Sequence, residues 1–292
     1  MTDIGLSRST PDAKRVISGF GEWFGRAFAA LLLLGLAVSV VFPFVWLLLS
    51  TFKNDGEIIQ YPPKLFPGEF TISQYVHVWE SIPLLSFLRN TLIFSVSVTV
   101  ISLFIDSMAG YAFARYRFPG RGMLFAFILI SMMIPFQVIM IPLFVEVYKL
   151  GMLNTFIGLI LPRAASAFGI YMMRAFFVSL PKELEESARI DGLREFGIYW
   201  RIMMPLCTPA LITLAIIHFM GAWNDLLYPL MLTSSTEMRT LSAGLAMFVG
   251  ERVIQYGPTL AAAFLSILPL LIAFGCVQQY FIRGVAMTGL KG

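Results

Sequence analysis

The 292-residue sequence predicts an all-α polytopic membrane protein, and three observations carry that prediction. Hydrophobic residues make up 58% of the chain and charged residues only 13%, where soluble domains hold about 45–50% and about 25%. Mean hydropathy is +0.80. Six apolar stretches are long enough to cross a hydrocarbon core, which takes about 20 helical residues. The same composition excludes a collagen, a disulfide scaffold and a disordered tail. A net charge of +4, with no basic tract longer than two residues, argues against nucleic-acid binding. Cys207 and Cys276 fall in or beside apolar runs and read as free thiols.

The six stretches lie near Phe28–Leu49, Asn90–Gly110, Met123–Val147, Thr155–Val178, Thr208–Leu232 and Thr259–Phe281. The first is longer than the roughly 7–15 residues of a signal-peptide core and reads as a retained anchor behind an N-terminal tail, residues 1–27. Placing the N-terminus in the cytoplasm puts fourteen Lys and Arg inside and six outside, with Arg163 within the fourth span. By the positive-inside rule both termini are then cytoplasmic, and residues 28–292 form a single transmembrane domain. The outer segment Thr51–Leu85, polar and rich in Pro and Gly, reads as loop. Pro135, Pro142, Pro229 and Pro269 are expected to kink or interrupt spans.

Between the fourth and fifth spans, residues 179–205 read SLPKELEESARIDGLREFGIYWRIMMP. Ser179 is a candidate cap, Pro181 suits a first turn, and Glu183, Glu185 and Glu186 favour the positive end of a helix dipole. Gly192 would end or bend that helix. Phe196, Tyr199, Trp200 and Met203 then follow helical spacing and form one apolar face. The loop therefore reads as two short helices with a bend. Its apolar face packs on the chain's own helices or the headgroup interface, or it docks on a partner; spacing alone does not choose.

Within the spans, a carboxylate at Asp225 costs about 2.5–3.5 kcal/mol on insertion scales and so needs a partner or a wet cavity. With Trp223, Asn224 and Tyr228 it offers the acceptors, donors and aromatic faces that a polyhydroxylated ligand uses. Equally, its depth of about 25 Å along the fifth span, at 1.5 Å per residue, suits a helix–helix brace or gate. Arg163 is expected to snorkel to the interface. Asp106 is expected to pair with Arg115 or Arg117, and His218 to be a hydrogen-bonded packing residue. The sequence carries no G-x-x-x-x-G-K-[ST] phosphate loop and no metal-ligand cluster, so neither nucleotide hydrolysis nor metal chemistry is expected of this chain.

Glu186-Ser187-Ala188, then Gly192 after three residues, then Ile202-Met203-Met204-Pro205 after nine more, resembles the Glu-Ala-Ala loop signature of ABC-importer permeases. Every spacing is kept; Ser187 and Met204 depart from the usual Ala and Leu by small or volume-conserving changes. Tyr111 to Gly120 (YAFARYRFPG), Asn154-Thr155 with Leu159-Ile160-Leu161-Pro162, Ala222-Trp223-Asn224-Asp225 and the C-terminal Gly-Leu-Lys-Gly extend the resemblance to the carbohydrate-uptake group, which includes maltose and glycerol-phosphate permeases.

The resemblance implies an ABC type I importer permease fold in a bacterial inner membrane and a role as one permease subunit of an ATP-driven sugar importer. It implies a second homologous permease, a dimer of cytosolic ATPase subunits carrying ATP and Mg, an extracytoplasmic solute-binding protein and a sugar substrate. Under it, Glu186 pairs with a basic group of the ATPase, Ala188, next to Ser187 in the same coupling set, allows close approach, Gly192 makes the bend, and Ile202 and Pro205 anchor the unit to the fifth span. Two rival readings remain. One is a self-contained secondary transporter or channel using Asp106, Asp225 and His218; the other is a scaffold that only recruits a cytosolic protein through the loop.

Overall fold

The computed structural model describes residues 13–246 and 255–289, and among these every regular element is helical. By backbone packing the chain forms two compact units, residues 1–72 and 73–292. In the first, α1 (Ala13–Ser50) is a single helix whose apolar stretch, Gly25–Ser50, is long enough to cross a membrane. The chain then folds over a short helix, α2 (Asp55–Ile58). Lys53 Nζ donates to the Lys64 carbonyl at 2.5 Å and lies 4.9 Å from the Trp46 ring centroid. The Thr71 amide donates to the Phe52 carbonyl at 3.0 Å, closing this loop on itself.

The second unit opens with α3 (Ser73–Ser81), within the segment expected to be loop. Charge and Pro content mark that segment's first half, but Tyr75, Val78 and Ile82 recur at helical spacing. They pack with Phe87, Trp223 and Leu241. The long helix α4 (Leu84–Arg115) follows and is the central strut of the unit. Its buried row of Asn90, Thr91, Ser95, Thr99, Ser102, Asp106 and Ser107 is polar. Thr91 and Thr99 satisfy their hydroxyls on carbonyls one turn back, so they cost little in an apolar setting.

The third, fourth and fifth expected spans are each broken. Residues 121–149 form α5 (Arg121–Ser131) and α6 (Phe136–Lys149), which meet at 102° around Pro135. A proline that caps α6 with extended backbone cannot continue α5. The next pass is α7 (Phe156–Ile160), continued by one tight turn to Arg163, and then α8 (Ala167–Ser179), bent by 43°. Ser166 caps α8, its hydroxyl accepting from the Gly169 amide at 3.2 Å. Helix α8 crosses α4 closely because Gly110 has no side chain: a Cβ there would lie 2.7 Å from Met173 Cβ.

The loop between α8 and the next long helix contains α9 (Glu183–Ile190), α10 (Glu195–Ile198), a π turn over Tyr199–Met203 and α11 (Met204–Leu206). It meets α12 (Thr208–Trp223) at 80°. Residues 224–226 interrupt the helix before α13 (Leu227–Leu232), and α14 (Leu241–Leu245) and α15 (Tyr256–Gly289) complete the chain. Besides α1, α4 alone among the described helices is long and apolar enough by itself to cross a membrane; the three bent pairs reach that length only as pairs. The apolar part of α15, Tyr256–Ile272, is shorter. The sequence-marked residues Arg252, Lys291 and the last three of the Gly-Leu-Lys-Gly terminus, like residues 1–12 of the N-terminal tail and the Cys276 side chain, lie outside the described residues. Cys207 is a buried free thiol.

Two further apolar cores hold this unit together. One gathers Tyr111, Met173, Phe177, Ala188, Ile198, Tyr199, Met203, Cys207, Ala210 and Leu214, from α4, α8, the 179–205 loop and α12. The other gathers Phe94, Val98, Val147, Leu159, Ala222, Tyr228 and Leu232, from α4, α6, α7, the end of α12 and α13.

Candidate functional site

The 179–205 loop is two short helices with a bend, as its sequence predicts. Gly192 makes the bend in the left-handed region, with φ of +82°, where an L side chain is strained. Ser179 does not cap α9. Its hydroxyl donates back to the Phe176 carbonyl at the end of α8, and Lys182 occupies the cap position. The apolar face expected from Phe196, Tyr199, Trp200 and Met203 is split. Tyr199 and Met203 are buried in the chain's own core, whereas Phe196 and Trp200 stand out in solvent. The π turn over Tyr199–Met203 follows Phe196 and carries an extra residue, which offsets the ordinary 3.6-residue repeat from there on.

Of the signature residues, Glu186 and Ser187 are exposed on one side of α9, while Ala188 is buried against the core. Ile190 is 86% exposed, an unusual state for an isoleucine on a fixed helix. Ile202 packs partly into the core, and Pro205 lies on α11, its carbonyl accepting from the Thr208 hydroxyl at 2.6 Å. That bond ties the loop to the start of α12. Glu186, Ile190, Phe196 and Trp200 are thus presented outward by a loop whose opposite side is anchored.

A charged network that the sequence pattern does not reveal holds the loop. Arg115, at the end of α4, pairs with Glu185 at 2.7 Å, both side chains only 5% exposed, and its Nη2 donates to the Leu180 carbonyl at 2.9 Å. Arg189 reaches Glu185 at 3.6 Å and makes a two-pronged bond to Glu195 at 2.8 and 3.2 Å across the Gly192 bend. Tyr116 donates to the same Glu195 at 3.1 Å. Hydrogen bonds from Arg189 hold the Glu195 carboxyl below the usual carboxylate range, and the same bonds raise Arg189. Burial raises Glu185 in spite of its two arginines. The i, i+4 spacing of Glu185 and Arg189 is the one sequence signal that points to this network. A cleft of about 260 Å³ opens beside it, lined among others by Arg117, Arg121, Lys182 and Glu186.

Asp106 does not pair with an arginine. Fully buried, it accepts from the Ser166 amide at 2.8 Å and lies 3.0 Å from His218 Nε2. Arg115 is unavailable to it because Glu185 is closer to the end of α4. Gly169 makes room for this carboxylate, since a Cβ there would overlap Asp106 Oδ2. His218 is the hydrogen-bonded packing residue expected.

Arg163 finds a partner within the chain. It is ion-paired with Asp225, and its guanidinium lies 5.0 Å from the Tyr228 ring centroid. The other Asp225 oxygen accepts from the Tyr228 amide at 3.1 Å, capping the first turn of α13. Tyr228 is buried and donates from its hydroxyl to the Gly158 carbonyl at 3.1 Å. Trp223 is buried too, its indole donating to the Ser266 carbonyl at 3.3 Å, and Asn224 bonds the Met220 carbonyl at 3.0 Å. The four residues Trp223, Asn224, Asp225 and Tyr228 therefore cluster at the α12–α13 break with their principal polar groups engaged by the chain itself.

The described chain is all-helical, with apolar helices long enough to cross a membrane and an outward-facing element between α8 and α12. Residues 106–287 match the family model described as "Binding-protein-dependent transport system inner membrane component". The chain belongs to that family and is an inner-membrane permease component of the ABC-importer type. It is 36% identical over 260 residues to the arabinooligosaccharides transport system permease protein AraQ of Halalkalibacterium halodurans, covering 88% of this chain and 93% of that one. It is 33% identical to the diacetylchitobiose uptake system permease protein NgcG of Streptomyces coelicolor, covering 90% and 89%. A chain in the crystal structure of a bacterial ABC transporter involved in the import of the acidic polysaccharide alginate superposes with a TM-score of 0.78 at 26% identity. That match covers 93% of this chain and 100% of the other.

Proposed function

We propose that this chain is one permease subunit of an ATP-driven carbohydrate importer and that the 179–205 loop is where a cytosolic ATPase engages it. One observation carries the proposal: a loop fastened by Arg115–Glu185–Arg189–Glu195 presents Glu186, Ile190, Phe196 and Trp200 outward, all four of them exposed. A lever has to be rigid and tied at both ends to move the spans it connects. Family membership and relatives named for oligosaccharide uptake support the carbohydrate class.

In this reading the chain crosses the membrane six times with both termini in the cytoplasm. The broken pairs α5–α6 and α7–α8, and α12 with α13, form three of the crossings. It pairs with a second homologous permease around a central path. Two ATPase subunits bind and hydrolyse ATP with Mg, and this chain binds no cofactor. An extracytoplasmic solute-binding protein delivers the sugar. Closure of the ATPases pushes the loop, and α8 and α12 carry that displacement into the membrane. Glu186 supplies the charge contact and Gly192 the fixed bend. Asp225 and Tyr228 contribute to the substrate path by shaping it, since each is already bonded within the chain.

The test is extraction from the native membrane in mild detergent and identification of what co-purifies. Wild type is expected to bring down an ATPase and a second permease, and Glu186→Lys to lose the ATPase while keeping the permease. Recovery of the chain alone, with solute flux in liposomes that needs no ATP, would overturn the proposal in favour of a secondary transporter.

A further inference from the structure

Two passes of the chain, α7–α8 and α12–α13, are each interrupted by three non-helical residues, and both interruptions fall between the same two cores. Helices α8 and α12 pack into the core that includes the 179–205 loop; α7 and α13 pack into the core around Phe94 and Tyr228. One side chain at each interruption meets the other. Arg163 ends the turn after α7, Asp225 lies in the α12–α13 break, and the two are ion-paired. Each is also fixed to its own surroundings. The Arg163 carbonyl accepts from Ser102 of α4 at 2.9 Å, and Asp225 caps α13 through the Tyr228 amide at 3.1 Å.

We infer that the Arg163–Asp225 pair is the joint that fastens the end of α7 to α13 where both passes break, a positioning pair for transport and not a substrate ligand. A break in a helix lets its two halves move separately, because no backbone hydrogen bonds run across it. Something else has to keep α7 and α13 together, and Asp225, only 11% exposed, would be left a nearly buried charge if Arg163 withdrew. Asp225 spends one oxygen on Arg163 and the other on the α13 cap.

This inference rests on the importer reading, and its test separates the two. The complete transporter, with its ATPase and binding protein, is reconstituted in proteoliposomes, and sugar uptake and ATP hydrolysis are measured together. Asp225→Asn keeps an acceptor for the α13 cap and removes the charge; Arg163→Gln strands a carboxylate; the double variant leaves two neutral amides. Sugar moved per ATP is expected to fall about ten-fold or more in Arg163→Gln and less in Asp225→Asn. The double variant is expected to recover above Arg163→Gln, since coupled residues do not add. The KM for sugar is expected to hold within about two-fold.

A raised KM with unchanged turnover in Asp225→Asn would overturn the inference and make Asp225 a substrate contact. Uptake and hydrolysis falling in proportion, with the ratio unchanged, would also overturn it and leave the pair a folding brace. If wild type shows no ATP-dependent uptake at all, the importer reading fails first.

Discussion

The two ends of the second unit solve one problem in opposite ways. Short elements that cannot stand alone must be held in place. Around the 179–205 loop the fastening is a spread network at the surface, in which Glu195 and Arg189 remain nearly half exposed and Arg115 and Glu185 are almost fully covered. Around α7 and α13 the fastening is compact and mostly neutral. Asn154 accepts from the Ser234 and Ser235 amides at 3.1 and 3.0 Å, and Tyr228 bonds the Gly158 carbonyl. The single ion pair there joins two chain breaks. Under the proposed function, the difference teaches that charge is spread out where the chain meets its ATPase and concentrated where two of its own passes break.

Three substitutions sharpen that contrast. The largest effect is expected from Arg115→Met, which strands the buried Glu185 carboxylate. Removing one partner of such a pair costs about 3–5 kcal/mol. The variant is expected to lose its ATPase on mild extraction, while the paired change Arg115→Met/Glu185→Leu recovers part of it. If the single change leaves the complex intact in pull-downs, the network does not hold the loop.

Next comes Asn154→Ala. Asn154 sits at φ of 59°, where asparagine is tolerated far better than alanine, and its side chain satisfies two amides. A cost of about 1–3 kcal/mol is expected, read as a lower midpoint in thermal unfolding of the purified complex with ATPase binding retained. Loss of the ATPase instead would show that the two ends are not separable.

The smallest effect is a pH dependence. The Glu195 carboxyl is held below its ordinary range, so the clamp across Gly192 is fully present above that range and is lost as pH falls through the lowered value. Glu185 is shifted the other way: its contribution is largest below the ordinary range and declines as pH rises through its raised value. ATPase retention in wild type is expected to weaken on acidification below the ordinary carboxylate range, and Glu195→Gln to flatten that limb. An unchanged limb in Glu195→Gln would assign the acid response elsewhere. Because Glu195 is exposed, the effect is modest.

Much of the loop is readable from sequence because its logic is local. Gly192 needs only its position after an acidic helix, and Pro135 announces the sharp bend it makes. The split of the apolar face is not readable, since a π turn leaves no mark in residue type: Tyr199 and Trp200 are adjacent aromatics, one buried and one exposed. Helical proximity assigns Asp106 to Arg115, but Arg115 is taken by Glu185, and the partner that Asp106 finds, His218, is 112 residues away. Arg163 and Asp225 each stand out as costly in a membrane. Their pairing requires knowing that two spans break at one level, which hydropathy averages away. The expected loop at 51–85 hides α3 for a related reason: a nine-residue amphipathic helix is short against a Pro-rich background.

The π turn at Tyr199–Met203 has a consequence for how this chain can change over time. Each helical residue turns the backbone by about 100°, so the extra residue in that turn sets the compass bearing of everything upstream relative to α12. Losing it would leave an ordinary helix, comfortable in itself, but would swing Glu186 and Ile190 about a quarter of a circle away from where they now point. Side chains between Gly192 and Pro205 are therefore freer to drift than the number of residues separating them. The distance along the chain is the stricter constraint, and Met204 is the kind of substitution it permits.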